Sequence, residues 1–276
     1  MSHRFKRIIL WTLGGLFCVY AIACMGYYGW QDKLTFPGTP PPPGRVYHFP
    51  GHAEERTIAA ADGTLLHGVL FKAAGSRGLI FYLHGNGDEL DTLATLAHYY
   101  TDLHYDIFFL DYRGYGKSQG RLTGERQLFG DVQAAYDDLR KTYTERDIVV
   151  LGYSIGSCPA AMLAARNHPR MLILQAPYYS MRAMATQNVP WLGFTFPSFL
   201  LKYPLRTYAY VRTVRAPIVV FHGNRDRVIH IEQSYRLRPY LKPEDRFIEL
   251  EGQGHGGITE NAVYLETLRQ LLYPPS

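Results

Sequence analysis

The chain has 276 residues, 47% of them apolar and 19% charged, with a formal net charge of +5. That length suits one large domain with an appendage, and an ordinary composition without repeats or blocks of like charge argues against a disordered or solenoid chain. The basic residues are scattered, with no zinc-finger spacing or arginine-rich block, which argues against nucleic-acid binding, and the three cysteines, Cys18, Cys24 and Cys158, supply neither a disulfide for the body nor a metal-ligand pair.

Residues 1–7 form a basic N-terminus carrying His3, Arg4, Lys6 and Arg7. They precede 23 residues without a charge, Ile8 to Trp30. As a helix rising about 1.5 Å per residue, this segment extends roughly 35 Å, enough to cross a hydrocarbon core. The positive charge in front predicts a transmembrane anchor with a cytoplasmic N-terminus and the remainder on the exported side, periplasmic in a bacterium. Tyr27, Tyr28 and Trp30 fit an aromatic belt at the exit interface. The segment also reads as a cleaved export signal, since Ala21-Ile22-Ala23 has the small-x-small form, or as a lipoprotein signal with Cys24 as the modified residue. All three readings export the rest of the chain. Residues 31–54 are expected to be a linker, in which Pro37-Gly38-Thr39-Pro40-Pro41-Pro42-Pro43-Gly44 forms either an extended spacer or a strap over the surface.

Residues 55–276 carry the pattern of a folded domain. Asp62-Gly63 predicts the turn of an opening hairpin, because that pair tolerates a positive φ. Strand-like apolar runs at 79–85, 106–114, 147–154, 171–177, 216–223 and 246–252 then alternate with amphipathic stretches. Those stretches predict helices near Leu90–Leu103, Gly124–Tyr143, Ser157–Asn167, Ile231–Leu241 and Glu260–Leu272. Such alternation predicts an α/β fold with a mostly parallel central sheet and helices on both faces, since parallel strands need crossovers that shield the sheet. Sites in such sheets form beyond the carboxyl ends of the strands.

Gly152-Tyr153-Ser154-Ile155-Gly156 stands between an apolar run and a helical stretch. A sharp strand-to-helix turn holds its serine in a strained conformation with the hydroxyl exposed at the sheet rim, and small glycines allow the turn. On this motif and its context the chain resembles the α/β-hydrolase family from about Glu55 to the C-terminus. The family's order of nucleophile, acid and histidine implies Ser154, then Asp226 in "VVFHGNRDRVIH", then His255 in "LEGQGHGGI". The chemistry requires such a set: a serine hydroxyl is a poor nucleophile until a base takes its proton, and the base is oriented by a carboxylate. Glycines at 252, 254, 256 and 257 let the histidine loop reach Ser154. Asp111 and Asp245 are the rival acids, and the resemblance implies that Asp111, before "YRGYG", holds its own loop. It further implies an oxyanion hole made by the N–H groups of Ile155 and of Asn86, with Gly85 allowing close approach and His84 as a buried structural residue.

Gly116-Lys117-Ser118 is not a phosphate loop, because Asp111 stands where the required glycine would be. No histidine pair has zinc spacing, so neither metal nor organic cofactor is expected. Residues 178–215 occupy the place of the family's small cap. They include Trp191, Phe194, Phe196, Phe199, Leu200, Leu201 and Tyr203, which are expected to line an acyl pocket, to touch the bilayer or to pack within the cap. The resemblance implies a serine hydrolase for a carboxylic ester or thioester, with a lipid-like acyl compound as a candidate substrate. A serine peptidase of the same fold and a catalytically silent membrane scaffold are the alternatives.

Overall fold

A computed structural model describes residues 3–38, 41, 45–47, 49–87, 90–188 and 195–273. It opens with one unbroken helix, α1 (His3–Thr35), long and apolar enough to cross a membrane. Residues 3–20 are exposed throughout. From there Cys24, Tyr27, Gln31 and Thr35, three or four residues apart, turn one stripe of the helix towards the domain.

The linker expected from residue 31 starts later. Gln31 donates to the Leu200 carbonyl at 2.8 Å and accepts from the Lys202 N–H at 2.9 Å. Asp32 pairs with Lys202 at 2.7 Å and accepts from the Tyr203 hydroxyl at 2.9 Å, while Phe36 is buried against Tyr112 and Tyr203. The described part of the following stretch lies on the domain: Arg45 pairs with Asp91, Tyr47 stacks on Phe49, and Phe49 packs edge-on against Phe71. It behaves there as a strap. Thr39, Pro40 and Pro42 to Gly44 lie outside the described residues.

Strands β1 (Ala53–Ala59) and β2 (Leu65–Phe71) form the opening hairpin, with Gly63 at φ 81° in its turn. Then come β3 (Leu79–Leu83), α2 (Leu90–Ala94), α3 (His98–Thr101), β4 (Asp106–Leu110), α4 (Glu125–Leu139), β5 (Ile148–Tyr153) and α5 (Ser157–Arg166). After β6 (Met171–Gln175) the cap contributes α6 (Met181–Asn188) and α7 (Thr207–Val211). The chain ends with β7 (Ile218–Gly223), α8 (Glu232–Tyr235), β8 (Arg246–Leu250) and α9 (Ala262–Leu272). The eight strands form one sheet in the order β1-β2-β4-β3-β5-β6-β7-β8, parallel from β4 to β8 and antiparallel among β1, β2 and β4.

The alternating side-chain direction of a strand divides the core in two. Phe81, Phe108, Val150, Leu172 and Val220 pack with residues of α4 and α5 in one layer. Tyr82, Phe109, Val149, Ile173 and Phe221 pack with residues of α2 and α9 in the other. Both faces of the parallel strands other than the edge strand β8 are therefore dry, which is why their sequences read as continuous apolar runs.

Two expected helices are shorter than their patterns. The segment 90–103 divides into α2 and α3, and between them the Thr95 hydroxyl and the His98 ring bond to the carbonyls of Thr92 and Thr95, competing with a continuous helix. The segment 231–241 holds only α8 before Pro239, which lacks the N–H a helix interior needs. In the cap, Trp191 and Phe194 lie outside the described residues. Phe196 meets Tyr27 edge-on at 4.7 Å and Tyr203 is buried against Phe36, so both pack on α1 and its extension. Phe199 is 86% exposed.

Candidate active site

β5 ends at Tyr153, α5 begins at Ser157, and a single helical turn, Ser154–Gly156, joins them. Ser154 has φ 53°, a left-handed conformation that costs a residue with a Cβ about 1–2 kcal/mol. The flanking glycines make it possible. A Cβ on Gly156 would lie 2.1 Å from the Leu83 carbonyl oxygen, and one on Gly152 would lie 2.5 Å from the Gly156 oxygen. The start of α5 is thus pressed against the end of β3. Ser154 is 7% exposed as a residue, and His255 lies within hydrogen-bond distance of its hydroxyl.

His255 sits in the loop after β8, whose turns place Gly252 and Gly257 at φ 72° and 75°. Its Nε2 accepts from the Ser154 hydroxyl at 3.0 Å, and its Nδ1–H donates to Asp226 Oδ2 at 2.7 Å. The Tyr153 hydroxyl donates to the His255 carbonyl at 3.1 Å, so the residue before the serine also fixes the histidine loop.

Asp226 follows β7, and its side chain is fully buried. Its Oδ1 accepts from the N–H groups of Val228 and Ile229 at 2.8 and 2.9 Å. Burial alone would raise its carboxyl, but hydrogen bonds from His222 and His255, the charge of His255 and the Ile229 N–H outweigh that and hold it well below the usual carboxylate range. Ser154, His255 and Asp226, far apart in sequence, thus form one continuous chain of hydrogen bonds.

Sequence reasoning passed over His222. This residue is fully buried at the end of β7, with Nε2 3.2 Å from Asp226 Oδ2 and donating to the Ile229 carbonyl at 2.8 Å. Its Nδ1 meets the Ser234 hydroxyl at 2.5 Å, and Ser234 donates to the Pro177 carbonyl at 2.7 Å. The available signal was its place four residues before Asp226 in "FHGNRD".

The rivals lie elsewhere. Asp111 is bonded to His67 Nδ1 at 2.9 Å and accepts from the Lys117 N–H at 3.3 Å, so it ties its own loop to β2. Asp245 accepts from the N–H groups of Ile218 and Lys242 at 2.8 and 2.7 Å. Cys158 is fully buried, and burial pushes its thiol well above the ordinary range, which disqualifies it as a nucleophile.

The two segments expected to form the oxyanion hole adjoin each other, because Gly156 packs on the carbonyls of Leu83 and His84 just before Gly85 and Asn86. The Tyr178 hydroxyl donates to the Ile155 carbonyl at 3.3 Å, and the Tyr115 hydroxyl donates to Asn86 Oδ1 at 3.3 Å. His84 is buried under Tyr112 at 4.2 Å between rings, and its Nδ1 donates to the Gly85 carbonyl at 2.8 Å. Among the described residues no group of three or more His, Cys, Asp or Glu stands close enough to hold a metal ion.

Residues 74–212 match the family described as serine aminopeptidase, S33. The chain is 30% identical over 207 residues to alpha/beta hydrolase domain-containing protein 17C of Xenopus tropicalis, a match covering 72% of this chain and 62% of the frog protein. It is 28% identical over 245 residues to an uncharacterized protein of Mycobacterium tuberculosis, covering 87% of this chain and 85% of that one. Among solved structures, the Pyrococcus furiosus esterase Pf2001 superimposes with a TM-score of 0.69 at 17% identity, covering 85% of this chain and 96% of the esterase. That likeness shows the α/β-hydrolase fold.

Proposed function

The chain belongs to the serine aminopeptidase, S33, family of α/β-hydrolases, and from that premise we propose that it cleaves a carboxylic ester or thioester through an acyl-serine intermediate. The observation that carries the reading is the hydrogen-bonded series Ser154–His255–Asp226, at 3.0 and 2.7 Å.

In this mechanism Ser154 Oγ attacks the acyl carbon as His255 Nε2 takes its proton. The ionised Asp226 holds the other ring nitrogen protonated and stabilises the imidazolium that forms. The tetrahedral oxyanion accepts hydrogen bonds from the Ile155 and Asn86 N–H groups, with Gly85 giving the loop its close approach. His255 then gives the proton to the departing oxygen or sulfur. A water, deprotonated by the same histidine, attacks the acyl-serine, and His255 returns that proton to Ser154 Oγ as the acyl–oxygen bond breaks and the acid is released. No step needs a metal or an organic cofactor.

The family's description also names an aminopeptidase, and a peptide substrate follows the same covalent route. Binding a free amino terminus calls for a carboxylate beside the site, and the cap has neither Asp nor Glu from Tyr178 to Arg215, which favours the acyl ester or thioester. For location, α1 supports a membrane anchor or an export signal, and the basic residues before it support a cytoplasmic N-terminus with the catalytic domain exported.

The test is a panel of p-nitrophenyl esters, acyl thioesters, lysophospholipids and aminoacyl anilides given to the full chain and to Ser154→Ala. Hydrolysis of esters or thioesters that is lost in Ser154→Ala supports the reading. Turnover confined to the anilides would transfer it to the peptidase.

A further inference from the structure

A cavity of about 450 Å³ lined by described residues contains none of Ser154, Asp226 and His255. It lies in the cap, and three arginines reach it from separate elements: Arg182 on α6, Arg206 before α7 and Arg236 after α8. Its lining includes no Asp or Glu. The cap as a whole carries Arg182, Lys202, Arg206, Arg212 and Arg215 with no acidic residue from 178 to 215. All three arginines are exposed, so the cavity presents fixed positive charge to an anion arriving from solvent or from a membrane surface.

We propose that this cavity binds a phosphate group, with Arg182, Arg206 and Arg236 as its charge-bearing donors. The side chains are placed for that work. The Arg236 guanidinium carbon lies 4.0 Å from the centre of the Tyr179 ring, and Tyr179 stacks on Tyr208 at 4.5 Å, so the group is held in place by packing. Arg182 bonds to the Ser198 hydroxyl, which brings a further donor to the lining. Glu125, whose charge interacts with that of Arg206, accepts from the Leu205 N–H at 2.5 Å and is not part of the lining. Planar guanidinium groups suit the bidentate recognition of phosphate oxygens.

A membrane phospholipid and a soluble phosphate offer the same group. The lipid source is favoured by position: Ser198 and Leu201 of the lining flank Leu200, whose carbonyl takes the Gln31 amide of α1, and Phe199 beside them is 86% exposed, as a side chain entering a bilayer would be. That choice rests on α1 lying in a membrane. The anion site itself does not, nor does it rest on the hydrolase mechanism.

The experiment uses the full chain in nanodiscs and reads hydrogen–deuterium exchange over residues 179–187 and 198–208. One arm adds inorganic phosphate to phosphatidylcholine discs, and the other replaces part of the phosphatidylcholine by phosphatidylglycerol with no free phosphate. Slowed exchange in the first arm alone identifies a soluble ligand, and in the second alone a lipid headgroup. In either arm Arg206→Gln with Arg236→Gln weakens the effect at least about tenfold, since hydrogen bonds to charged groups are being removed. The paired lysine variants keep the charge and lose the fork, so they bind between wild type and the glutamine pair, and they carry the test if the glutamine pair does not fold. No protection in either arm, or protection unchanged in the folded variants, overturns the proposal.

Discussion

Replacing Gly156 by alanine places a methyl group 2.1 Å from the Leu83 carbonyl oxygen, 2.6 Å from its carbon and 2.8 Å from the His84 oxygen. Carbon–oxygen contacts settle at about 3.3–3.6 Å, so the start of α5 must retreat from β3 by about 1 Å, and both obstacles are backbone that cannot swing aside. Overpacking of this sort costs about 1–3 kcal/mol of stability. The catalytic loss is larger, because Ser154 and the Ile155 N–H ride on the same turn, and about 1 Å of misplacement at a reacting centre costs about 100-fold. The kcat/KM of Gly156→Ala for a p-nitrophenyl ester should fall about 100-fold while the protein still unfolds cooperatively a few degrees below wild type. Gly254→Ala, in the histidine loop, is the control: its added Cβ meets nothing within 4 Å, so its rate should stay within about twofold. A Gly156→Ala enzyme as active as Gly254→Ala would refute the argument that the turn positions the nucleophile.

Asp226→Asn should lower kcat/KM by about 10³- to 10⁴-fold with little change in KM, through the wrong histidine tautomer. The native carboxyl is depressed, so below the unfolded value of about 3.9 the unfolded chain binds the extra proton first and stability falls with pH; acid titration of folding should show a shallower loss in Asp226→Asn below about pH 4. His222→Phe removes a hydrogen-bonding partner of that carboxylate, worth about 1.5–3 kcal/mol, and should cost about 10- to 100-fold in kcat/KM and shift the acid limb of its pH profile, with partial rescue in His222→Gln. A merely structural His222 would lower thermal stability and leave the pH profile in place. Arg113 donates to both oxygens of buried Asp131 at 2.6 and 2.7 Å and also to Asp62, so Arg113→Ala should destabilise the fold by about 3–5 kcal/mol in urea titration, chiefly by stranding Asp131.

The sheet could be read from the sequence because its inner parallel strands are dry on both faces, and the runs around Phe81, Phe108, Val150 and Val220 carry no competing signal. Gly152 and Gly156 stand out in the sequence for a reason the packing supplies, as neither position has room for a Cβ. Other features depend on partners that local pattern cannot reveal. Gln31 and Asp32 look like the end of an apolar helix and the start of a linker, but they bond to Leu200, Lys202 and Tyr203 about 170 residues on. His222 lies in an apolar run and reads as core until the turn after β7 brings Asp226 back to it. Phe196 and Tyr203 suggest an acyl pocket by composition, whereas packing sets them against Tyr27 and Phe36. The arginine cavity gathers residues from 182, 206 and 236, which no single stretch of sequence puts together.

The most direct test of the mechanism is labelling of the membrane-reconstituted full chain with a fluorophosphonate, followed by mass spectrometry of the adduct. The account expects one adduct, on Ser154, formed in wild type, strongly slowed in His255→Ala and absent in Ser154→Ala. A wild-type chain that stays unlabelled, or labelling that persists in Ser154→Ala, would contradict it.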